Sequence, residues 1–188
     1  MIIRLVKNNL VGFLFFSLLL LISYCQRPMK CQNWQDVQGL KVIDGDTLAY
    51  HHQRWRLDGF DAPESEQPYG DVAGEQLLAW LRASSQVRVC MMKEDVYARK
   101  MVRLYLDGQD LAEMMIAKGL AVSFDPFYPQ FNFRLRKLKF LEAMARSAAV
   151  GMWVQDEVIH PRAFRQRLKR KKLSKQSAPQ NSDRRGHE

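Results

Sequence analysis

The chain has 188 residues, a hydrophobic fraction of 47% and a net charge of +9, which suits one domain with appendages and enough apolar material for a sizeable core. The charge is uneven: residues 33–160 carry fifteen basic and eighteen acidic groups, whereas residues 162–188 carry ten basic and two acidic ones. That excludes reading the chain as uniformly basic, so a functional argument has to start from the acidic centre rather than from overall charge.

The N-terminus reads as a targeting segment. Arg4 and Lys7 precede the uncharged run from Leu10 to Ile22. Thirteen helical residues span only about 20 Å, short of the roughly 30 Å hydrocarbon core of a bilayer. Residues 1–25 are therefore expected to be a signal peptide or an N-terminal membrane anchor, with membrane attachment through residues 10–23 in the second case. Either form implies export, to a periplasmic or secreted location. Cys25 stands where a lipid-bearing cysteine could stand, but Tyr24 before it is bulky for that chemistry. Residues 26–37 read as a linker. Of the three cysteines, Cys31 and Cys90 form an even pair if Cys25 leaves with the signal. A Cys31–Cys90 bridge and two free thiols are both open. No C-x-x-C zinc spacing occurs.

The centre, residues 38–154, alternates strand-like and helix-like stretches. Leu40–Ile43, Thr47–His51, Arg54–Phe60, Val87–Met92 and Val102–Leu106 read as strands, with a turn near His52 and Gln53. Five short strands suggest a small closed or nearly closed barrel. Val72–Ser84 reads as a helix. So does Leu111–Lys118, which opens on Asp110 with Glu113 three residues on and ends at Gly119. A third helix starts near Asn132, repeats Leu135, Leu138 and Ala145, and ends before Gly151. Residues 155–188 read on composition as a basic, largely disordered tail.

Four acids lie around two of these strands: Asp44, Asp46, Asp61 and Glu64. Asp44-Gly45-Asp46-Thr47 is a turn sequence, and by itself could be no more than that. Pro63 keeps Ala62 extended, so Asp61 and Glu64 project in defined directions. If the strands of Thr47 and Arg56 pair as a hairpin, Asp46 and Asp61 meet at its open end. Neighbouring carboxylates repel unless a cation or proton lies between them, and a hard divalent ion with oxygen ligands resolves this. Arg56 and Arg99 add planar forks suited to phosphate oxygens, although either one alone reads as a surface ion pair.

V-I-D-G-D-T, then R-x-x-x-x-D-x-P-E, then D-x-Y-x-R, in that order, resembles the thermonuclease, or staphylococcal-nuclease-like, family. The resemblance continues through L-A-E-M-M-I-A-K-G-L-A and L-R-K-L-K-F-L-E-A-M-A-R to G-M-W, about residues 38 to 153. It implies a mainly β, α+β fold: a five-stranded OB-fold barrel with three α-helices. It implies calcium-dependent hydrolysis of DNA or RNA phosphodiesters, leaving 3′-phosphates. Asp46, Asp61 and the backbone carbonyl of Ala62 match the calcium ligands, where the family often has Thr at the Ala62 position. Glu64 matches the residue that orients or deprotonates water. Arg56 and Arg99 match the phosphate-binding arginines, and Tyr97 a tyrosine near the nucleotide. The loop from Glu64 to Gly70 and the Thr47–Arg56 hairpin are shorter than in the best-known member. Phe124, Phe127 and Tyr128 do not align cleanly with its base-stacking tyrosines. The expected partners are nucleic-acid substrates, with no protein partner and a monomeric chain. The competing expectation is a non-catalytic nucleic-acid-binding OB-fold module. An exported lipid-surface protein built on the two termini would leave the clustered acids and arginines unexplained.

Overall fold

A computed structural model describes residue 31 and residues 34–94, 99–124 and 133–176. The expected N-terminal signal or anchor, Tyr97, Phe127 and Tyr128 lie outside the described residues. Among those described, no helix is long and apolar enough to cross a membrane.

The elements, in chain order, are β1 (Trp34–Asp36), β2 (Lys41–Val42), β3 (Thr47–Tyr50), β4 (Gln53–Leu57), β5 (Phe60–Asp61), α1 (Gly70–Ala83), β6 (Val87–Glu94), β7 (Lys100–Leu106), β8 (Gln109–Asp110), α2 (Leu111–Ala117), β9 (Val122–Ser123), α3 (Phe133–Ser147), a 3₁₀ turn (Gly151–Val154) and α4 (Pro161–Gln176). The main sheet runs β1-β6-β7-β4-β3-β2, with β8 on β7, and β5 pairs separately with β9. Among the described residues, β4 and β7 form the one parallel pair, with Trp55 opposite Lys100 and Arg56 opposite Met101. The five expected strands are β2, β3, β4 continued by β5, β6 and β7. The α+β class with an OB-type strand set holds, although the described pairings form an open path rather than a closed barrel.

The β3–β4 hairpin pairs Thr47 with Arg56 and Tyr50 with Gln53. Its two loop residues, His51 and His52, have φ of 43° and 66°. Both central residues at positive φ match a type I′ turn, the two-residue loop whose twist suits paired strands. Alternation along β3, β4, β6 and β7 buries Leu48, Trp55, Leu57, Val89, Val102 and Leu104. Leu77 of α1, Met115 and Ile116 of α2, and Leu138 of α3 join the same core. Asp110 caps α2 by accepting from the Ala112 N–H at 2.9 Å, and Gly119 closes it at φ 64°.

Two findings go beyond the sequence reading. Cys31 and Cys90 are joined by a disulfide with Cα atoms 5.8 Å apart, which settles the open pairing. The tail expected to be largely disordered instead contributes a fourth helix over Pro161–Gln176. Pro161 suits the first helical position, and Arg, Lys, Gln and Leu are good helix formers. Tertiary contacts supply what composition does not show: Phe164 lines a small cavity with Pro63, Gln67, Pro68 and Met152.

Candidate active site

The site forms where the β2–β3 turn meets the end of β5. The turn is closed by Asp44 Oδ1, which accepts from the Asp46 N–H at 3.0 Å. Gly45 makes the close approach possible. A Cβ there would lie 2.7 Å from the Ala62 Cβ and 2.9 Å from the Ala73 Cβ of α1. The turn therefore sits directly on the strand end that follows Asp61. The Ala62 N–H donates to Asp46 Oδ2 at 3.0 Å, and Thr47 Oγ1 donates to Asp46 Oδ1 at 3.1 Å.

Arg56 ties the two aspartates together. Its Nη2 lies 2.9 Å from Asp61 Oδ1 and 3.1 Å from Asp46 Oδ2. The same guanidinium donates to the carbonyls of Leu57 at 2.7 Å and Phe60 at 2.8 Å. Arg56 is thus buried and held at fixed geometry, a cation built into the wall. Asp61 is fully buried, and its strand is backed by β9 through Phe60 opposite Ser123 and Asp61 opposite Val122.

Glu64 stands at the rim, its side chain 34% exposed. Its loop is fixed from both ends. Gln67 Oε1 accepts from the Glu64 N–H at 2.9 Å, while Gln67 Nε2 donates to the Ile159 carbonyl at 2.9 Å. At Gly70 a Cβ would fall 1.9 Å from the Glu64 carbonyl oxygen, so α1 begins hard against the Glu64 backbone.

Arg165 of α4 completes the constellation and was not singled out from the sequence. Its Nη2 lies 2.7 Å from Asp61 Oδ2, and its Nη1 lies 3.1 Å from Asp61 Oδ1 and 2.5 Å from Glu64 Oε1. Burial works against its charge, but the hydrogen bonds it donates to Asp61 and Glu64, with their negative charge, outweigh burial and hold the guanidinium above its ordinary pKa. Asp61 is therefore clasped between two arginines whose positions in the sequence are 104 residues apart from it in one case and five in the other. Arg99 is half-buried just before β7, two residues ahead of Met101, the register partner of Arg56. Gln67 and Arg165 left no local signal. A single-sign run after Pro161 was visible, but not which member of it turns inward.

Asp46 reports the electrostatic balance. Burial pushes its carboxyl up to about 7; Arg56 opposes the rise, while Asp44 and Asp61 add to it. Burial is the main cause of the rise, and buried carboxylate oxygens that gain from added positive charge suit a hard divalent cation. Among the described residues, no three His, Cys, Asp or Glu side chains form a metal-holding group. Such an ion would need the Asp46–Asp61 pair together with backbone carbonyl and water oxygens, a donor set that hard cations accept.

The chain is 35% identical over 131 residues to an uncharacterized 38.1 kDa protein of Capnoides sempervirens, covering 68% of this chain and 37% of that protein. It is 34% identical over 112 residues to a staphylococcal-like nuclease of Arabidopsis thaliana, covering 60% of this chain and 33% of the relative. It is 32% identical over 125 residues to a probable endonuclease of Saccharomyces cerevisiae, covering 60% and 45%. The chain thus spans between a third and a half of the length of these relatives. The sequence profile of the staphylococcal nuclease homologues matches residues 54–155, more than half of the chain, and the protein belongs to that family.

Proposed function

We propose that this chain is a calcium-dependent nuclease that hydrolyses phosphodiester bonds of DNA or RNA. The observation that carries the reading is the cluster in which Arg56 bridges Asp46 and Asp61 while Glu64, one-third exposed, stands beside them. Asp46, Asp61 and the Ala62 carbonyl would hold the calcium ion. Bound there, calcium supplies Lewis-acid polarisation of a phosphate oxygen and of water.

The chain's own groups do the rest. Glu64 accepts a proton from the attacking water, which its position at the rim permits. Gln67 keeps the Glu64 backbone still, which limits the loss of alignment between turnovers. Arg56, pinned by two carbonyls, is a pre-oriented positive charge behind the reacting phosphate. Arg99 and Tyr97 contact the phosphate and the nucleotide. Arg165 pairs with Glu64 until an anionic substrate draws the guanidinium onto its own oxygens.

Plasmid DNA and RNA are incubated with the protein, with calcium and then with EDTA. Degradation with calcium only, lowered about 10²- to 10⁴-fold in Glu64→Gln, supports the reading. Full activity in Glu64→Gln removes that residue from the mechanism. Nucleic-acid binding without cleavage under both conditions points to the binding-module alternative. We also propose export, with residues 1–25 as signal or membrane anchor. The Cys31–Cys90 disulfide supports this, because such bonds persist in oxidising compartments.

A further inference from the structure

We propose that α4 is a second phosphate-binding surface of this protein, a rail for the nucleic-acid backbone where it leaves the cleft. This rests on the nuclease reading above and extends it to a segment that lies beyond residue 155, where the family match ends.

Charge is the first observation. Eight of the 16 residues of α4 are Lys or Arg, and none is Asp or Glu. Arg167, Lys169, Arg170, Lys171 and Lys172 are exposed, and among the described residues none of them is paired with an acid. Like charges at i,i+4 spacing, such as Arg167 with Lys171, weaken an isolated helix. A polyanion removes that repulsion.

Placement is the second observation and is independent of charge. The helix is fixed to the site by its first turn. The Ile159 carbonyl accepts from Gln67, Phe164 lines the cavity beside Pro63 and Pro68, and Arg165 holds Asp61 and Glu64. The basic residues that follow Arg165 are carried away from the catalytic carboxylates along the rest of α4, about 16 Å. That length spans roughly five phosphates of one strand at 3.4 Å each. The rest of the globular part, residues 33–160, has three more acids than bases and would repel a polyanion. α4 supplies the missing attraction at the edge of the cleft.

A membrane surface is the competing partner for a basic helix. An interfacial helix presents a broad apolar face. Here Phe164 is engaged with the domain and Leu168 is half-buried, leaving Leu173 as the exposed large apolar side chain of α4. Charge without an apolar face fits nucleic acid.

The test uses the full chain with Lys169, Arg170, Lys171 and Lys172 all changed to Gln, which keeps helix propensity. Binding to a 30-base-pair duplex is measured in EDTA across salt concentrations. Turnover of bis(p-nitrophenyl) phosphate with calcium, a diester too small to extend from the site to residues 169–172, is measured in parallel. The slope of log affinity against log salt should become shallower by about 3, since each neutralised duplex phosphate contributes roughly 0.9. Small-diester turnover should be unchanged. A variant changed only at Lys171 and Lys172 should show about half the slope change. An unaltered slope overturns the rail, and so does binding of the unmodified chain to phosphatidylserine vesicles that the four changes abolish while the duplex slope stays the same. If the unmodified chain hydrolyses neither diester nor plasmid, the nuclease reading fails, and the duplex slope still judges α4 by itself.

Discussion

Replacing Asp58 with Ala should destabilise the fold more than any exposed ion pair could. Asp58 lies between β4 and β5, the two strands that carry Arg56 and Asp61, and is 3% exposed. Its Oδ2 accepts from Arg103 Nε at 3.2 Å, Arg103 Nη2 at 3.0 Å and Arg134 Nη1 at 3.1 Å. Arg134 in turn donates from Nε to Asp110 Oδ2 at 2.7 Å and from Nη2 to Asp110 Oδ1 at 3.1 Å. Among the described residues, Asp58, Asp110, Arg103 and Arg134 form a network in which every side chain is at most 13% exposed. Removing Asp58 takes one buried counter-charge from both arginines. Charge-assisted hydrogen bonds contribute about 1.5–3 kcal/mol each, but three on one oxygen are not additive. Breaking a buried pair by deleting one partner costs about 3–5 kcal/mol. With a urea m-value of about 2 kcal/mol/M, the midpoint should fall by roughly 2 M. Urea unfolding followed by tryptophan fluorescence reads this directly. The control is Lys137→Ala, which breaks the Lys137–Glu113 pair at 2.6 Å, where the lysine side chain is 59% exposed. That contact is shorter, yet its loss should cost less than about 1 kcal/mol because water screens it. A loss below about 1 kcal/mol for Asp58→Ala, or equal losses for the two variants, would refute the argument from burial.

Changing His51-His52 to Asn-Gly, residues suited to positive φ, should stabilise the β3–β4 hairpin by about 1 kcal/mol, read as a raised urea midpoint. Cys90→Ser opens a covalent loop with a sequence separation of 59 and, by chain entropy, should cost about 4 kcal/mol. Dithiothreitol should then destabilise the parent chain but not the variant, and equal sensitivity would contradict the bridge. Gly45→Ala would place a methyl against Ala62 and Ala73 and push the Asp46 turn off the end of β5. An overpacking cost of about 1–3 kcal/mol is expected, together with weaker calcium binding by calorimetry. Unchanged calcium affinity would mean that the turn can move without disturbing Asp46.

Residues close in the chain and joined by regular pairing were legible without coordinates. The strand pattern implied a hairpin, and an antiparallel hairpin brings Asp46 and Asp61 to one end because its register is set by the short turn. The Asp110 cap and Gly119 stop of α2 were readable because capping is local chemistry. What the tertiary structure alone decided involves partners far apart in sequence. Arg165 reaches Glu64 across 101 residues, and Gln67 reaches Ile159 across 92. No periodicity in the chain marks such contacts. The disulfide was undecided from spacing because it depends on β1 pairing with β6, where Trp34 lies opposite Cys90. The basic tail reads as solvated because composition averages over its side chains. Its order as a helix follows from docking Phe164 beside Pro63 and from two buried or half-buried acids that need a cation at the position where Arg165 arrives.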